Sequence, residues 1–218
     1  EKLGKKIYIT GKGRCNVTNA CDTEELFQNV VHNAKFLYSS FYAFTNTDIM
    51  DLIEKHGCPL KTERGNRVFP ISDKSSDVIH ALTAALRKLG VEVELHEEVA
   101  DVLAEDGHVT GVRLKRGQKV VFADAVIVTT GGLSYPSTGS TGDGYRFAKE
   151  LGHTITDLSP ALVPFVAKED VCKELQGLSL RNISVQIRNG KKVLYEEFGE
   201  MLFTHFGVSG PVLLSASS

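Results

Sequence analysis

Between residues 22 and 90 the apolar side chains recur at helical spacing, and from Val91 onward they alternate with polar ones. Asp22 or Thr23 can cap a short helix through residues 24–27. Asn33 opens a second helix, with Phe36, Leu37, Ser40, Phe41 and Phe44 along one face that reads as core. Thr47 starts a third, in which Ile49, Leu52, Ile53 and His56 share a stripe that Gly57 stops. Residues 58–61 and 67–70 read as short extended pieces around an Arg64-Gly65-Asn66 turn. The clearest helix follows. Ser75 or Ser76 caps it, Val78, Ile79, Leu82, Ala85, Leu86 and Leu89 form its buried face, and Gly90 ends it.

Past that glycine, Val91, Val93 and Leu95 alternate with glutamates. Residues 99–103, 109–114 and 119–122 form an antiparallel meander, with turns at Asp106-Gly107 and Arg116-Gly117. Ala125-Val126-Ile127-Val128 has no alternation and ends on Thr129-Thr130-Gly131-Gly132, the pattern of a central parallel strand buried on both faces. Such strands hold ligands at their carboxyl ends. A small-residue loop to Gly144 then leads into a helix with Tyr145, Ala148 and Leu151 buried and Gly152 at its end. From Leu158 the character shifts again: Pro160 and Pro164 bracket an apolar stretch, and residues 183–188 and 192–198 flank a turn at Asn189-Gly190. The pattern predicts an α/β first domain over residues 1–157, with a helical excursion at about 22–70, and a β-rich second domain over 158–218.

The densest chemistry lies in Gly11-Lys12-Gly13-Arg14-Cys15-Asn16-Val17-Thr18-Asn19. Glycines without Cβ take positive φ and expose their N–H groups, and cations nearby complete a pocket for a phosphate or an electron-rich ring. This is a ligand loop. Around it, 25 Lys and Arg against 27 Asp and Glu give a net charge of −2, which offers no electrostatic reason for a nucleic-acid or anionic-membrane partner. No apolar run approaches the roughly 20 residues that span a bilayer. The four cysteines form no C-x-x-C pair, so reduced thiols in a cytoplasmic protein are the simplest account. The chain opens on Glu1 without a methionine and stops at Ser218 without a closing element, which reads as a piece of a longer protein.

Six motifs in order narrow the identity: Leu3-Gly-Lys-Lys6, Gly11-x-Gly-Arg-Cys-Asn-x-Thr-Asn19, Arg67-Val-Phe-Pro70, Gly131-Gly132, Ser140-Thr-Gly-Asp-Gly144 and Leu202-Phe-Thr-His-x-Gly-x-Ser-Gly-Pro211. In these the chain resembles the bacterial BaiN-like, aminoacetone-oxidase-related FAD-binding flavoproteins. The resemblance implies a partial Rossmann-like FAD-binding domain followed by the start of an inserted β-rich domain. It also implies a Gly-x-Gly-x-x-Gly unit ahead of Glu1 and a closing C-terminal segment. Carried over residue by residue, Glu1 meets the adenosine ribose, and Lys2 and Lys6 lie along the cofactor's path. Gly11, Gly13, Arg14, Cys15 and Asn16 follow the pyrophosphate towards the isoalloxazine. Val99 meets the adenine through its backbone, and Thr130 and Gly131 face the dinucleotide. The implied activity is hydride transfer between FAD and a small organic substrate, with NAD(P)H open as electron donor. Family members are linked to amine oxidation and to reduction of unsaturated steroid acids.

Several residues carry two readings. Cys15 and Cys21 invite comparison with a redox Cys-x4-Cys pair, but five residues separate them, so Cys15 reads as a packed thiol beside the flavin. The segment 139–144 lacks the Gly-Lys-Ser/Thr ending of a triphosphatase loop and reads as a helix start, with Asp143 near its cap. Arg67 either touches substrate or pins a loop, and His205 is either an acid–base group or a structural one. The other histidines show no ligand spacing. No side chain offers itself as catalytic nucleophile or base, consistent with a cofactor that carries the reaction. A flavin-dependent RNA-modifying protein is the rival reading, against which the Arg14-Cys15-Asn16-x-Thr18 loop and the lack of basic excess both weigh. A chain that cannot hold FAD by itself is a further alternative.

Overall fold

The computed structural model describes residues 2–218 and divides the chain into two compact units, Glu1–Ile155 and Thr156–Ser218. In the first, α1 (Lys5–Ile9) runs into a tight 3-10 turn at Thr10–Gly13 and then β1 (Thr18–Asn19). Helices α2 (Thr23–Gln28), α3 (Tyr38–Ala43) and α4 (Asn46–Lys55) follow. Strands β2 (Leu60–Glu63) and β3 (Arg67–Pro70) pair antiparallel, and β1 joins the other edge of β3 with Thr18 opposite Val68. Helix α5 (Ser75–Lys88) packs against α1 and α4.

Local chemistry explains most of these boundaries. Asp22 accepts a hydrogen bond from the Glu25 N–H at 2.8 Å and so starts α2. Thr45 and Asp48 close a capping box, which starts α4 at Asn46, one residue earlier than the pattern predicts. Ser75 does not cap α5. It lies inside the helix, buried, and its hydroxyl donates to the Tyr8 carbonyl at 3.3 Å. Cys15, Ile53, Cys58, Val78 and Ala81 form the core of this unit, with Ile7, Val17, Ile49, Leu60 and Leu82 against them. Leu89, expected inside, lies past the helix end and is 77% exposed.

Two further expectations are corrected. The Phe36/Leu37/Phe41/Phe44 stripe is not core, since Phe36 is 85% and Phe44 53% exposed. The chain there is broken into a 3-10 turn, Ala34–Leu37, and the short α3, so these four positions never share one helical face. Second, residues 91–95 and 125–130 form no strand, and Ile127 is 87% exposed. A strand buried on both faces needs neighbours to take its N–H and C=O groups, and among the described residues every ladder is antiparallel and none includes these segments.

The meander appears as read: β4 (Val99–Glu105), β5 (His108–Leu114) and β6 (Val120–Phe122) form an antiparallel sheet in that order. After it comes α6 (Asp143–Glu150), whose buried residue is Phe147, with Leu151 on the surface. The second unit contains β7 (Phe165–Val166), α7 (Val171–Glu174), β8 (Ser179–Asn189), β9 (Lys192–Thr204), β10 (Gly207–Ser209) and α8 (Pro211–Ala216). Its strands run antiparallel in the order β7-β10-β9-β8. Helix α8 buries Val212 and Leu213, and a Cβ on Gly199 would lie 2.5 Å from Val212 Cγ2, so glycine lets the helix lie close on β9. No helix among the described residues is long and apolar enough to cross a membrane.

Candidate functional site

The ligand loop owes its shape to a run of left-handed residues: Gly11 at φ 57°, Lys12 at 58°, Gly13 at 86° and Cys15 at 61°. A Cβ on Gly11 would sit 2.8 Å from the Asn16 nitrogen and 3.3 Å from the Phe69 ring, so only glycine fits that turn. The Cys15 N–H donates to the Thr10 carbonyl at 3.1 Å, and the Arg14 N–H to Gly11 at 3.2 Å. Cys15 then turns its thiol into the core beside Ile53 and Cys58. Burial pushes the thiol's pKa up, which keeps it protonated at neutral pH, and both Cys15 and Cys21 are free. The Asn16 side-chain amide faces the Val68 and Thr18 carbonyls, at 3.2 and 3.1 Å with its nitrogen assigned to that side.

Arg14 reaches sideways rather than into open space. Its Nε donates to Asp73 Oδ1 at 2.8 Å, its Nη2 to Glu63 Oε1 at 2.5 Å, and its guanidinium lies 4.1 Å over the Phe69 ring. Lys61 completes the network, 2.8 Å from Asp73 and 3.5 Å from Glu63. The bond from Arg14 holds the Glu63 carboxylate below its ordinary pKa, and the bonds from Lys61 and then Arg14 do the same for Asp73. The network pins the loop to β2 and to the turn after β3. With the guanidinium so engaged, Arg14 braces the loop from behind.

Another wall forms around Gly131. Lys6 Nζ donates to the Ser134 carbonyl at 2.5 Å and to its hydroxyl at 3.3 Å, which ties α1 to the segment after Gly131-Gly132. Gly131 is left-handed at φ 76°, and a Cβ there would lie 2.7 Å from Ser140 Oγ. A Cβ on Gly144 would lie 2.9 Å from Thr130 Oγ1. These glycines let the end of the 125–130 segment close on the start of α6. Beside them opens a cleft of about 610 Å³, lined by Val99, Thr130, Thr141, Asp143, Phe147 and the 96–98 segment. A second hollow of about 450 Å³ shares Thr130 and adds Gly131, Gly132, Gly144 and Tyr145. Arg146 fastens the cleft's two sides, donating to the Ala100 carbonyl at 2.7 Å while pairing with Glu150 at 3.1 Å.

Val99, Thr130 and Gly131 therefore converge, and Lys6 lies next to them, while Gly11, Gly13, Arg14, Cys15 and Asn16 form the separate loop that α1 leads into. Lys2 sits 4.0 Å over the Tyr8 ring, and Glu1 lies outside the described residues. Arg67 pins its own turn, donating to the Arg64 carbonyl at 3.1 Å. His205 occupies an exposed turn of the second unit, edge-on to Phe206 at 4.9 Å. Among the described residues no group of three or more His, Cys, Asp or Glu could hold a metal. Glu97, Glu98 and Asp143 give the large cleft carboxylates that can accept from ribose hydroxyls or an exocyclic amine, and the cationic loop suits phosphates. That division of charge fits the two ends of a dinucleotide.

Sequence reasoning missed the partners that shape these walls: Lys61, Glu63 and Asp73 for Arg14, Ser134 for Lys6, and Arg146. One signal was available. Lys61 and Glu63 are two apart on a strand, so both face the same side. Asp73 and Ser134 are 59 and 128 residues from their partners, beyond any local pattern.

Residues 1–213 match the family model described as "HI0933-like protein Rossmann domain". The chain is 31% identical over its whole length to a ribosomal RNA dihydrouridine synthase of Escherichia coli (strain K12), covering 52% of that protein. It is 32% identical, over 96% of its length and 50% of the relative's, to a 3-dehydro-bile acid delta(4,6)-reductase of Clostridium scindens. A ribosomal RNA dihydrouridine synthase of Haemophilus influenzae is 29% identical over the whole chain and 53% of its own length. The chain spans about half the length of the curated relatives it matches.

Proposed function

Because the chain belongs to the HI0933-like family of Rossmann domains, the BaiN-like flavoproteins its motifs resemble, we propose that it forms part of an FAD-dependent oxidoreductase that saturates a carbon–carbon double bond conjugated to a carbonyl. The observation that carries the reading is Thr130, which lines both hollows, with Val99 in the larger and Gly131 in the smaller, and with Gly131 and Gly144 where the walls close. The activities for which the relatives are named share this chemistry. A delta(4,6)-reductase and a dihydrouridine synthase both add hydrogen across a C=C bond. Bound flavin would supply the hydride for that addition. Glu97, Glu98 and Asp143 would take the adenosine hydroxyls or amine, and Lys6, Lys12 and the N–H groups of 11–13 the pyrophosphate. Cys15 holds the loop in the core and takes no part in electron transfer. NAD(P)H is proposed as electron donor, and the second unit as the beginning of an inserted β-rich domain. Free cysteines fit a cytoplasmic, reducing setting.

Two substrates share the reaction. A small conjugated ketone follows from the reductase, and a uridine in RNA, the second reading, from the names of the two dihydrouridine synthases. The test is the visible spectrum of the full-length protein under argon. It is expected to show oxidised flavin, to bleach with NADPH or NADH, and to recover its colour on adding either a 3-keto-4,6-diene steroid or a uridine-containing RNA. A colourless protein that takes up no FAD would overturn the proposal.

A further inference from the structure

The hollow at the start of α6 differs chemically from its surroundings. Val128, Thr130, Gly131, Gly132, Gly144 and Tyr145 line its 450 Å³ or so, and no cation or carboxylate is among them. The neighbouring cleft, by contrast, has Glu97, Glu98 and Asp143 on its walls. What the hollow offers is donors. The Thr130 hydroxyl lies 2.9 Å from where a Cβ on Gly144 would stand, and the Tyr145 hydroxyl 3.3 Å from where one on Gly132 would. Gly142 begins α6 without a side-chain cap, so the first N–H groups of the helix, at Asp143 and Gly144, are left uncovered.

A second observation points to an acceptor at this place. Ser75 and Ser140 are both buried, and the Ser75 hydroxyl bonds the Tyr8 carbonyl. Ser140 is only 5% exposed, yet its hydroxyl takes part in no hydrogen bond among the described residues. It stands at the edge of the hollow, 2.7 Å from where a Cβ on Gly131 would lie. A buried hydroxyl without a partner is destabilising, and a ligand atom that meets it removes the penalty.

We infer that this hollow takes the carbonyl oxygen of the substrate, with the Ser140 and Tyr145 hydroxyls as donors and the first turn of α6 beside them. The inference rests on the oxidoreductase reading and deepens it, by assigning the residues that grip the substrate. A phosphate would find no cation here and would meet Asp143 in the same helical turn, whereas a neutral carbonyl asks only for donors. The hydride of the proposed reaction adds to the far carbon of the conjugated double bond. The π pair moves towards the carbonyl, its oxygen gains negative charge, and a proton from water then completes the near carbon. Donors already aimed at that oxygen hold it more tightly as the charge develops. Both proposed substrates present such an oxygen, on the ketone of a 3-keto-4,6-diene or on the uracil ring.

The test uses the flavin-loaded full-length protein, kept oxidised so that nothing turns over. A 3-keto-4,6-diene steroid or a uridine-containing RNA is titrated in, and binding is read from the change in flavin absorbance. FAD affinity is measured alongside on the apoprotein. Tyr145→Phe and Ser140→Ala are each expected to bind the carbonyl ligand roughly tenfold more weakly, with FAD affinity unchanged. A 4,6-diene steroid without the 3-keto oxygen should not distinguish these variants from wild type. Tyr145 is half-buried and phenylalanine keeps its ring, so the test stands should Ser140→Ala fail to fold. Unchanged binding in the variants overturns the inference, as does binding of neither probe by the wild type. So does a matching loss of FAD affinity, which would give the hollow to the cofactor. A protein that takes up no FAD overturns the oxidoreductase reading as well, whereas a yellow protein with unaltered variants overturns this inference alone.

Discussion

A guanidinium already facing two carboxylates makes a weak phosphate ligand. Arg14, bonded to Glu63 and Asp73, works on the ligand loop from behind, fixing where its N–H groups point. Both carboxylates have native pKa values below their ordinary ones, so their contribution is complete above the unfolded values and disappears as pH falls. Asp73→Asn should therefore lower Tm at pH 7, and the gap from wild type should close as pH drops through about 4 and below. Thermal melts of both proteins across that range check it. Gly131 makes a second residue-scale case. Gly131→Ala meets Ser140 Oγ at 2.7 Å and a left-handed backbone, a strain of about 1–2 kcal/mol, and should weaken FAD binding about tenfold. Adding Ser140→Ala removes the contact and leaves the backbone strain, so flavin titration should show partial recovery. At this scale the sequence was legible where one residue type has one use, as with the glycines of the loop. It was silent on Asp73 and Ser134, because their roles exist only once distant segments have met.

At the scale of elements, the reading succeeded where signals agreed and failed where period stood alone. The meander had turns and alternation together, and β4, β5 and β6 formed as read. The 33–44 segment had apolar spacing without a cap or a continuous helix, and Phe36 and Phe44 came to the surface. The run at 125–128 has the composition of a buried strand, but a parallel strand is made by its neighbours as much as by its residues. The firmest packing lies where α4 and α5 meet the loop. Ile53, 2% exposed, touches the cluster that contains Cys15 and Cys58. Ile53→Ala should cost about 2–5 kcal/mol in urea unfolding and loosen the loop that Cys15 anchors. Faster alkylation of Cys15 in the folded variant, followed by mass spectrometry, is the accompanying sign.

For the whole molecule, composition informed less than arrangement. A net charge of −2 averages a stretch at residues 2–14 that has five cations and no acid with acidic surfaces elsewhere. Near the division into two units, proline, glycine and the loss of period fall close together in the sequence. The chain separates at Ile155 and Thr156, close to exposed residues such as Leu158 and Leu162. Brief chymotrypsin treatment should cut first within 152–162, ahead of any site in α4 or α5, with cleavage positions read by mass spectrometry.

The bond between Lys6 and Ser134 spans 128 residues, and that distance is also an interval of time. At about 5–20 residues per second, a ribosome makes Ser134 roughly 6–25 s after Lys6. Once α5 has been made, in the later part of that interval, the glycine loop can already rest on α4, β3 and α5, while the wall that carries Thr130 and Gly131 does not yet exist. On the proposed reading cofactor capture would be a late event in biogenesis, and nascent chains arrested short of Ser134 should emerge folded around Cys15 yet colourless.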